Sequence, residues 1–279
     1  MTIPVPPKVQ RIGITTRDKH AGAEAASQRA KEFFRNLGGE AYALEEVLDG
    51  AEVDWLLALG GDGTLLHAAR LMAHRQVPVM GVNFGRVGYL CTISEGQLER
   101  ALELVSEGHY SVDERAMIRA GVFNRREEVW RVDALNEVLI GGSNRTLTLD
   151  VEIDGEPIGE IVGDGVILAT RTGSTAYAMS AGGPVVLLES MILVGSNSIS
   201  SALLAPTVLP MNSKVSVYNR TKVTRPYVIA DGQKDYKILA GTVIEMAKSP
   251  LSVRLIDTRM ENTFAKITKR SLVRDRELD

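Results

Sequence analysis

Residues 53–64 read Val53-Asp54-Trp55-Leu56-Leu57-Ala58-Leu59-Gly60-Gly61-Asp62-Gly63-Thr64. The apolar run 53–59 has the length and bulk of a buried parallel strand. Beyond it Leu65, Ala68, Ala69 and Met72 recur at helical spacing, which predicts a helix with Thr64 as its N-cap. A glycine-rich turn feeding a helix start offers unpaired N–H groups and attracts phosphate. Asp62 is the odd member. A carboxylate repels phosphate unless it binds a metal or takes a proton from an attacking hydroxyl. The combination points to phosphoryl transfer, and an ordinary strand-to-helix turn is the alternative that five residues leave open. Leu66 stands where G-x-G-x-x-G needs a glycine, and no Gly-Lys pair exists for a P-loop.

Outward from this turn, the first hundred residues alternate strand and helix. Strands are expected at Val9–Thr15, Ala41–Leu44 and Val77–Val82, and a helix at Ala21–Leu37 stopped by Gly38-Gly39. Ser94-Glu95-Gly96-Gln97 looks like a capping box opening a helix through Val105. Alternating elements imply parallel pairing with helices on both faces. Beyond about residue 110 the texture changes to short alternating stretches, including Met117–Phe123, Val129–Leu135 and Leu147–Ile153. Asp154-Gly155 is a two-residue hairpin signal, and one helix is expected near Ser174–Ala181. The expected class is α/β plus β: an N-terminal parallel-sheet α/β domain over 1–112, then a mainly antiparallel β-rich domain over 113–265. The tail 266–279 is expected to return to the first domain.

The whole chain sets bounds on function. At 279 residues it can bury a substantial core. Its net charge of −3 argues against a nucleic-acid surface. Basic residues near the end (Lys266, Lys269, Arg270, Arg274 and Arg276) interleave with acids and read as a solvated helix face. One cysteine, Cys91, excludes an internal disulfide and fits a reducing compartment. No stretch approaches a membrane span, and residues 1–8 read as a short flexible leader without a signal peptide's apolar core. A cytoplasmic protein with no membrane and no nucleic-acid partner is expected.

A second constellation lies at 163–184, where Thr172, Ser174 and Thr175 surround Gly173 at a strand-to-helix turn. Such a turn offers O–H and N–H groups to an anionic or polyhydroxyl ligand, and Tyr177 is placed to add a stacking face. A helix cap with small packing residues is the plainer reading. His67 and His74 lie seven apart on one helix face, but without nearby carboxylates they make no zinc site. Tyr89 and Cys91 read as packing residues, since nothing nearby would activate the thiol.

Taken together, Gly-Gly-Asp-Gly-Thr at 60–64 and Thr-Gly-Ser-Thr-Ala-Tyr at 172–177 resemble the ATP/polyphosphate NAD kinase family. Asn83-Phe84-Gly85-Arg86-Val87-Gly88-Tyr89-Leu90 resembles that family's N-x-G-x-L-G-F/Y-L loop, and Asn136-Glu137 its Asn-Glu/Asp dipeptide. The four segments in this order are far more specific than Gly-Gly-Asp-Gly-Thr alone, which several lipid and sugar kinases share.

The resemblance implies roles where residues match. Asp62 would be the general base toward the 2′-hydroxyl of the NAD adenosine ribose, with Gly61, Gly63 and Thr64 lining the nucleotide pocket. Asn136 and Glu137 would grip the substrate by hydrogen bonds. Asp164, Thr172, Ser174, Thr175, Ala176, Tyr177 and Ser180 would surround the dinucleotide, with Tyr89 alongside. Asp231 and Gln233 resemble a later substrate-contacting strand end, and His67 stands where relatives carry a basic residue near the donor phosphates. The implied enzyme is an NAD kinase using ATP, or polyphosphate, with Mg²⁺ and forming a homodimer or homotetramer through the β-rich domain. No metal-ligating residue is assigned.

The chain also departs from the family pattern. Arg171 replaces a usual proline, Val87 a usual leucine, and Val194–Pro210 lacks the usual Pro-His pair, with Met211 in place of an aspartate. These departures keep two alternatives open: a divergent kinase for another nucleoside or polyol, and a non-catalytic NAD-binding module.

Overall fold

The computed structural model describes residues 10–16, 21–85, 88–91, 93–201 and 205–260. The leader at 1–8, Val87, and the basic tail with its return at 266–279 lie outside the described residues. The chain forms two compact units, one running to Glu114 and resuming at Val253, the other Arg115–Ser252.

In the first unit β1 (Arg11–Thr16), α1 (Ala21–Asn36), β2 (Glu40–Ala43), α2 (Leu44–Leu48), β3 (Trp55–Gly60), α3 (Asp62–Met72), β4 (Val79–Asn83), β5 (Ile93–Ser94) and α4 (Leu98–Ser106) follow in order. The strands lie side by side as β2-β1-β3-β4. All these pairings are parallel, with Leu56 opposite Val79 and Gly60 opposite Asn83. Alternation sends Trp55, Leu57 and Leu59 into one core with Ala26, Ala30 and Phe34 of α1 and Leu98, Leu102 and Val105 of α4. Leu56 and Ala58, equally buried, face the other way. A β-carbon on Gly13 would meet Leu56 and Val47, so glycine there lets α2 close on that opposite face. This is the doubly covered sheet that the bulky, non-alternating run 53–59 predicts.

Local chemistry sets the ends. Ser94 and Gln97 form the expected capping box, and Gln97 Oε1 accepts the Ser94 backbone N–H at 3.0 Å. The first three residues after Ser94 form a 3₁₀ turn before α4 begins. Two expectations need correction. Thr64 is not the N-cap of α3: Gly61 is, and its carbonyl accepts the Thr64 N–H at 3.0 Å. The helix begins earlier because Asp62 suits the electropositive first turn. The strand at 41–44 shifts to Glu40–Ala43, because Leu44 turns inward to start α2.

The second unit is antiparallel. It holds β6 (Ser111–Asn124, all but its first residues), β7 (Glu127–Ala134), β8 (Glu137–Gly141), β9 (Leu147–Ile153), β10 (Glu156–Gly163), β11 (Gly165–Thr170), α5 (Tyr177–Ser180), β12 (Ser190–Ser196), β13 (Ser200–Ser201), β14 (Thr207–Pro210), β15 (Val215–Asn219), β16 (Tyr227–Ala230), β17 (Lys234–Lys237) and β18 (Val243–Asp257, whose last residues belong to the first unit). One ladder runs β13-β10-β9-β15-β18 and a separate sheet β14-β12-β11-β8-β16-β17. Their facing side chains share one core, including Leu149, Val151, Val217 and Ile244 from the first and Ile140, Leu168, Leu193 and Val228 from the second. Asp154 and Gly155, both at positive φ, make the expected hairpin.

Strand β11 is buried along its whole length because both its faces are covered. Val166 and Leu168 enter the sandwich core, while Ile167 and Ala169 pack outward with Ala178 of α5. The helix expected over Ser174–Ala181 is shorter than predicted. A 3₁₀ turn at Gly173–Thr175 breaks at Ala176 (φ −100, ψ −128) before the four residues of α5. Tyr177 therefore does not sit one continuous α-turn beyond Ser174.

Candidate functional site

In the first unit the site is the turn between β3 and α3. Gly60 is required by proximity, since a β-carbon there would lie 2.2 Å from Thr64 Oγ1. Thr64 is buried and packs beneath the turn, while Gly63 and His67 are exposed on α3. Asp62, the first residue of α3, receives three backbone donors. Its Oδ2 accepts the N–H of Tyr89 at 2.7 Å and of Leu90 at 3.1 Å, and its Oδ1 accepts that of Cys91 at 2.9 Å. Charge-assisted bonds of this kind fix a carboxylate's orientation. Gly88 makes the approach feasible: its β-carbon would stand 2.0 Å from Asp62 Oδ1. Tyr89 thus contributes its backbone to Asp62, and its side chain is half-buried.

In the second unit the site is built on the adjacent ends of β8, β11 and β16. Glu137 opens β8 with 8% of its surface exposed, and among the described residues its Oε2 is buried without a hydrogen-bond partner. Burial, and then the negative charge of Asp231, push its carboxyl up to about 7, against a lowering by the Tyr177 backbone N–H. A buried acceptor without a donor fits a hydroxyl of a bound ligand. Asn136 beside it is half-buried.

Asp231, just past the end of β16, holds the start of β8. Its carboxylate accepts the N–H groups of Leu135 (2.9 Å), Asn136 (2.7 Å) and Glu137 (3.1 Å). Thr170, which the sequence reading did not single out, holds the same segment from its other side. Its Oγ1 donates to Leu135 O at 2.5 Å, and its N–H to Asn136 O at 2.8 Å. Gly173 completes the fit, as a β-carbon there would come within 2.0 Å of Asn136 O. Gly88 lies inside the 83–90 motif and Thr170 just before the 172–177 motif, but nothing local shows what either one packs against. Their partners are 26 and 34 or more positions away in sequence.

The 172–177 turn is therefore packed against Asn136. Ser174 is fully buried, donating to Arg171 O at 2.7 Å and accepting the Val186 N–H at 3.1 Å. Its hydroxyl serves the turn. Thr172 Oγ1 accepts from Arg115 at 3.4 Å, and Thr175 Oγ1 donates back to Thr172 O at 3.3 Å. Tyr177 and Ser180 are exposed on α5, with Ala176 half-buried at the break. Gln233 closes the β16–β17 turn, its N–H donating to Ala230 O at 3.0 Å. Asp164 is not brought to this cluster. It stands before the first residue of β11, about 20 Å along the strand from Thr170, and accepts from Asn197 Nδ2 at 2.8 Å.

Comparison with known proteins matches residues 10–110 to the ATP-NAD kinase N-terminal domain and residues 135–258 to the ATP-NAD kinase C-terminal domain. The NAD kinase of Pseudomonas putida (strain W619) is 37% identical over 222 residues, covering 77% of this chain and 74% of that protein. The NAD kinase of Pseudomonas syringae pv. tomato is equally similar over the same span. Among solved structures, an Archaeoglobus fulgidus NAD kinase in complex with ATP has TM-score 0.75 at 28% identity, covering 92% of this chain and 98% of its own. A yeast NADH kinase complexed with NADH has TM-score 0.82 at 21% identity, covering 93% and 86%, a likeness of fold.

Proposed function

The chain belongs to the ATP-NAD kinase family, and from that premise we propose how its residues divide the work of converting NAD to NADP. The reaction is the ATP-dependent phosphorylation of NAD, which places phosphate on the adenosine 2′-hydroxyl. An alcohol is a poor nucleophile at neutral pH, so a carboxylate beside it assists proton removal. Asp62 is that group in our reading. The observation that carries it is the rigid presentation of Asp62 at the glycine turn, its carboxylate oriented by three consecutive amides. Positioning of this kind supplies much of the acceleration in phosphoryl transfer.

Asn136 and Glu137 bind hydroxyl groups of the acceptor, and the partnerless Glu137 Oε2 is the acceptor atom such a hydroxyl fits. Exposed Tyr177 supplies a face for stacking. The start of α3, with its first-turn amides and dipole, suits the donor's phosphates, and exposed His67 lies on the same helix. Among the described residues no cluster of three or more His, Cys, Asp or Glu side chains is placed to hold a metal. Magnesium would arrive with ATP as part of the donor and would neutralise charge on the phosphates.

A cytoplasmic location and a homodimer or homotetramer complete the proposal. In support of the first, no described helix is long and apolar enough to cross a membrane, and the single cysteine is buried. Supporting the second, Leu188, Ile199 and Val208 stand exposed on the second unit. Light scattering on the purified chain tests the assembly. The activity test is NADP formation from NAD with magnesium and ATP, read by an NADP-specific dehydrogenase. Signal that disappears in Asp62→Asn supports the assignment, whereas an active Asp62→Asn enzyme removes Asp62 as the base.

A further inference from the structure

The backbone of residues 135–137 is saturated by two residues. Asp231 takes all three N–H groups, and its own N–H returns to Glu137 O at 3.0 Å. Thr170 takes the carbonyls of Leu135 and Asn136. With every main-chain polar group of the segment engaged, the side chains of Asn136 and Glu137 are what it has left to offer a ligand. Asp231 itself is 7% exposed and held at φ +52, a conformation that Asp and Asn tolerate better than most residues.

Resting on the reading of Asn136 and Glu137 as the acceptor-binding pair, we propose that Asp231 is a positioning residue for NAD: buried behind the segment, it aims that pair and acts through Glu137 without touching the substrate. The sequence resemblance implied a contact residue at this strand end. The geometry points to a role exerted through Glu137. The groups that act on the Glu137 carboxyl are the Asp231 carboxylate beyond β16 and the Tyr177 backbone N–H at the start of α5. An ionised Glu137 is the better acceptor for a ribose hydroxyl, so Asp231 pays for rigid placement with a partly neutral Glu137 at neutral pH.

The test uses the full-length enzyme with Asp231→Asn, Glu137→Gln and the two combined, following KM for NAD and kcat across the neutral range. Circular dichroism and melting temperature confirm folding. Asn keeps the shape and tolerates the positive φ, but it has one acceptor oxygen for three donors and no charge. We expect Asp231→Asn to raise KM for NAD about tenfold while kcat changes less than about threefold. The limb of kcat/KM that rises through about pH 7 moves to lower pH, because one of the two causes raising the Glu137 carboxyl is gone. In Glu137→Gln that limb is absent, and adding Asp231→Asn shifts nothing further in pH.

A folded Asp231→Asn with wild-type KM and limb, while Glu137→Gln still raises KM, overturns the proposal alone. A raised KM with an unmoved limb also overturns it, since that is the behaviour of a direct contact. Unchanged NAD kinetics in Glu137→Gln overturns the reading of the pair and the proposal with it. Should Asp231→Asn fail to fold, Thr170→Val loosens the same segment from the other side without altering charge. It is expected to raise KM with the limb in place, and a folded Thr170→Val with wild-type KM overturns the proposal.

Discussion

Gly88 and Asp62 meet so closely that a single methyl group on Gly88 would lie 2.0 Å from the Asp62 carboxylate oxygen. The space that glycine leaves lets Tyr89, Leu90 and Cys91 point their N–H groups at the carboxylate. Gly88→Ala forces that oxygen aside. A displacement of about 1 Å at a reacting group lowers turnover about 10²-fold, so kcat should fall by that order. The melting temperature should fall as well, by the modest amount expected when a half-buried carboxylate loses amide donors. Steady-state kinetics beside a thermal melt checks it, and an unimpaired kcat would break the link between loop and carboxylate.

Asp62→Asn retains the side chain's shape but removes the charge and one acceptor. Turnover is expected to drop about 10²–10⁴-fold, the range for losing a general base, while NAD still binds. Isothermal titration of the folded variant with NAD separates the two effects.

Glu137 gives stability a pH dependence whose sign can be worked out. Its folded carboxyl is raised to about 7 from an ordinary 4.5. Between those values the folded state holds a proton that the unfolded state has released. Stability from this group is therefore fully present below about 4.5 and is lost as pH rises through 7. Glu137→Gln abolishes the loss. Denaturant unfolding should find the variant more stable than wild type at pH 8, by up to about 3 kcal/mol, with the advantage vanishing toward pH 4.5. The opposite ordering at pH 8 would show that Glu137 is stabilised in its charged form.

Ser174 separates a folding role from a ligand role. Its hydroxyl joins Arg171 O to the Val186 N–H inside the protein. Ser174→Ala removes the acceptor of the Val186 N–H and one of two donors to Arg171 O, which keeps the Ser174 N–H at 3.3 Å, at a cost of about 1 kcal/mol. We expect a lower melting temperature with KM for NAD within about twofold of wild type. A large rise in KM at unchanged stability would return Ser174 to the ligand.

Gly173→Ala drives a β-carbon against the Asn136 carbonyl, 2.0 Å away. Backbone yields less easily than a side chain, so both stability (about 1–3 kcal/mol) and NAD affinity should fall together. Melting and binding measured on the same preparation show whether the two losses coincide.

What was legible in the sequence depended on residues a few positions apart. The strand-turn-helix at 53–72, the Ser94–Gln97 capping box and the Asp154-Gly155 hairpin are each decided within about one turn of chain, so pattern and propensity suffice. Local signals misplaced the start of α3 by three residues and overextended the helix after Ser174, where the turn's packing on Asn136 overrides helical continuation. The family motifs named most residues of the candidate site but not how they work.

The sequence by itself determined the alternation of elements, the change to antiparallel strands after about residue 110, and the chemical types gathered at 60–64, 136–137 and 172–177. Only the tertiary structure decided what those residues face. Asp62 meets amides 27–29 positions away, and Asp231 meets amides 94–96 positions away. The physical reason is that a buried carboxylate takes donors from whichever backbone the sheet register delivers beside it. Register is set by the burial of whole strands, not by the few residues that flank a motif.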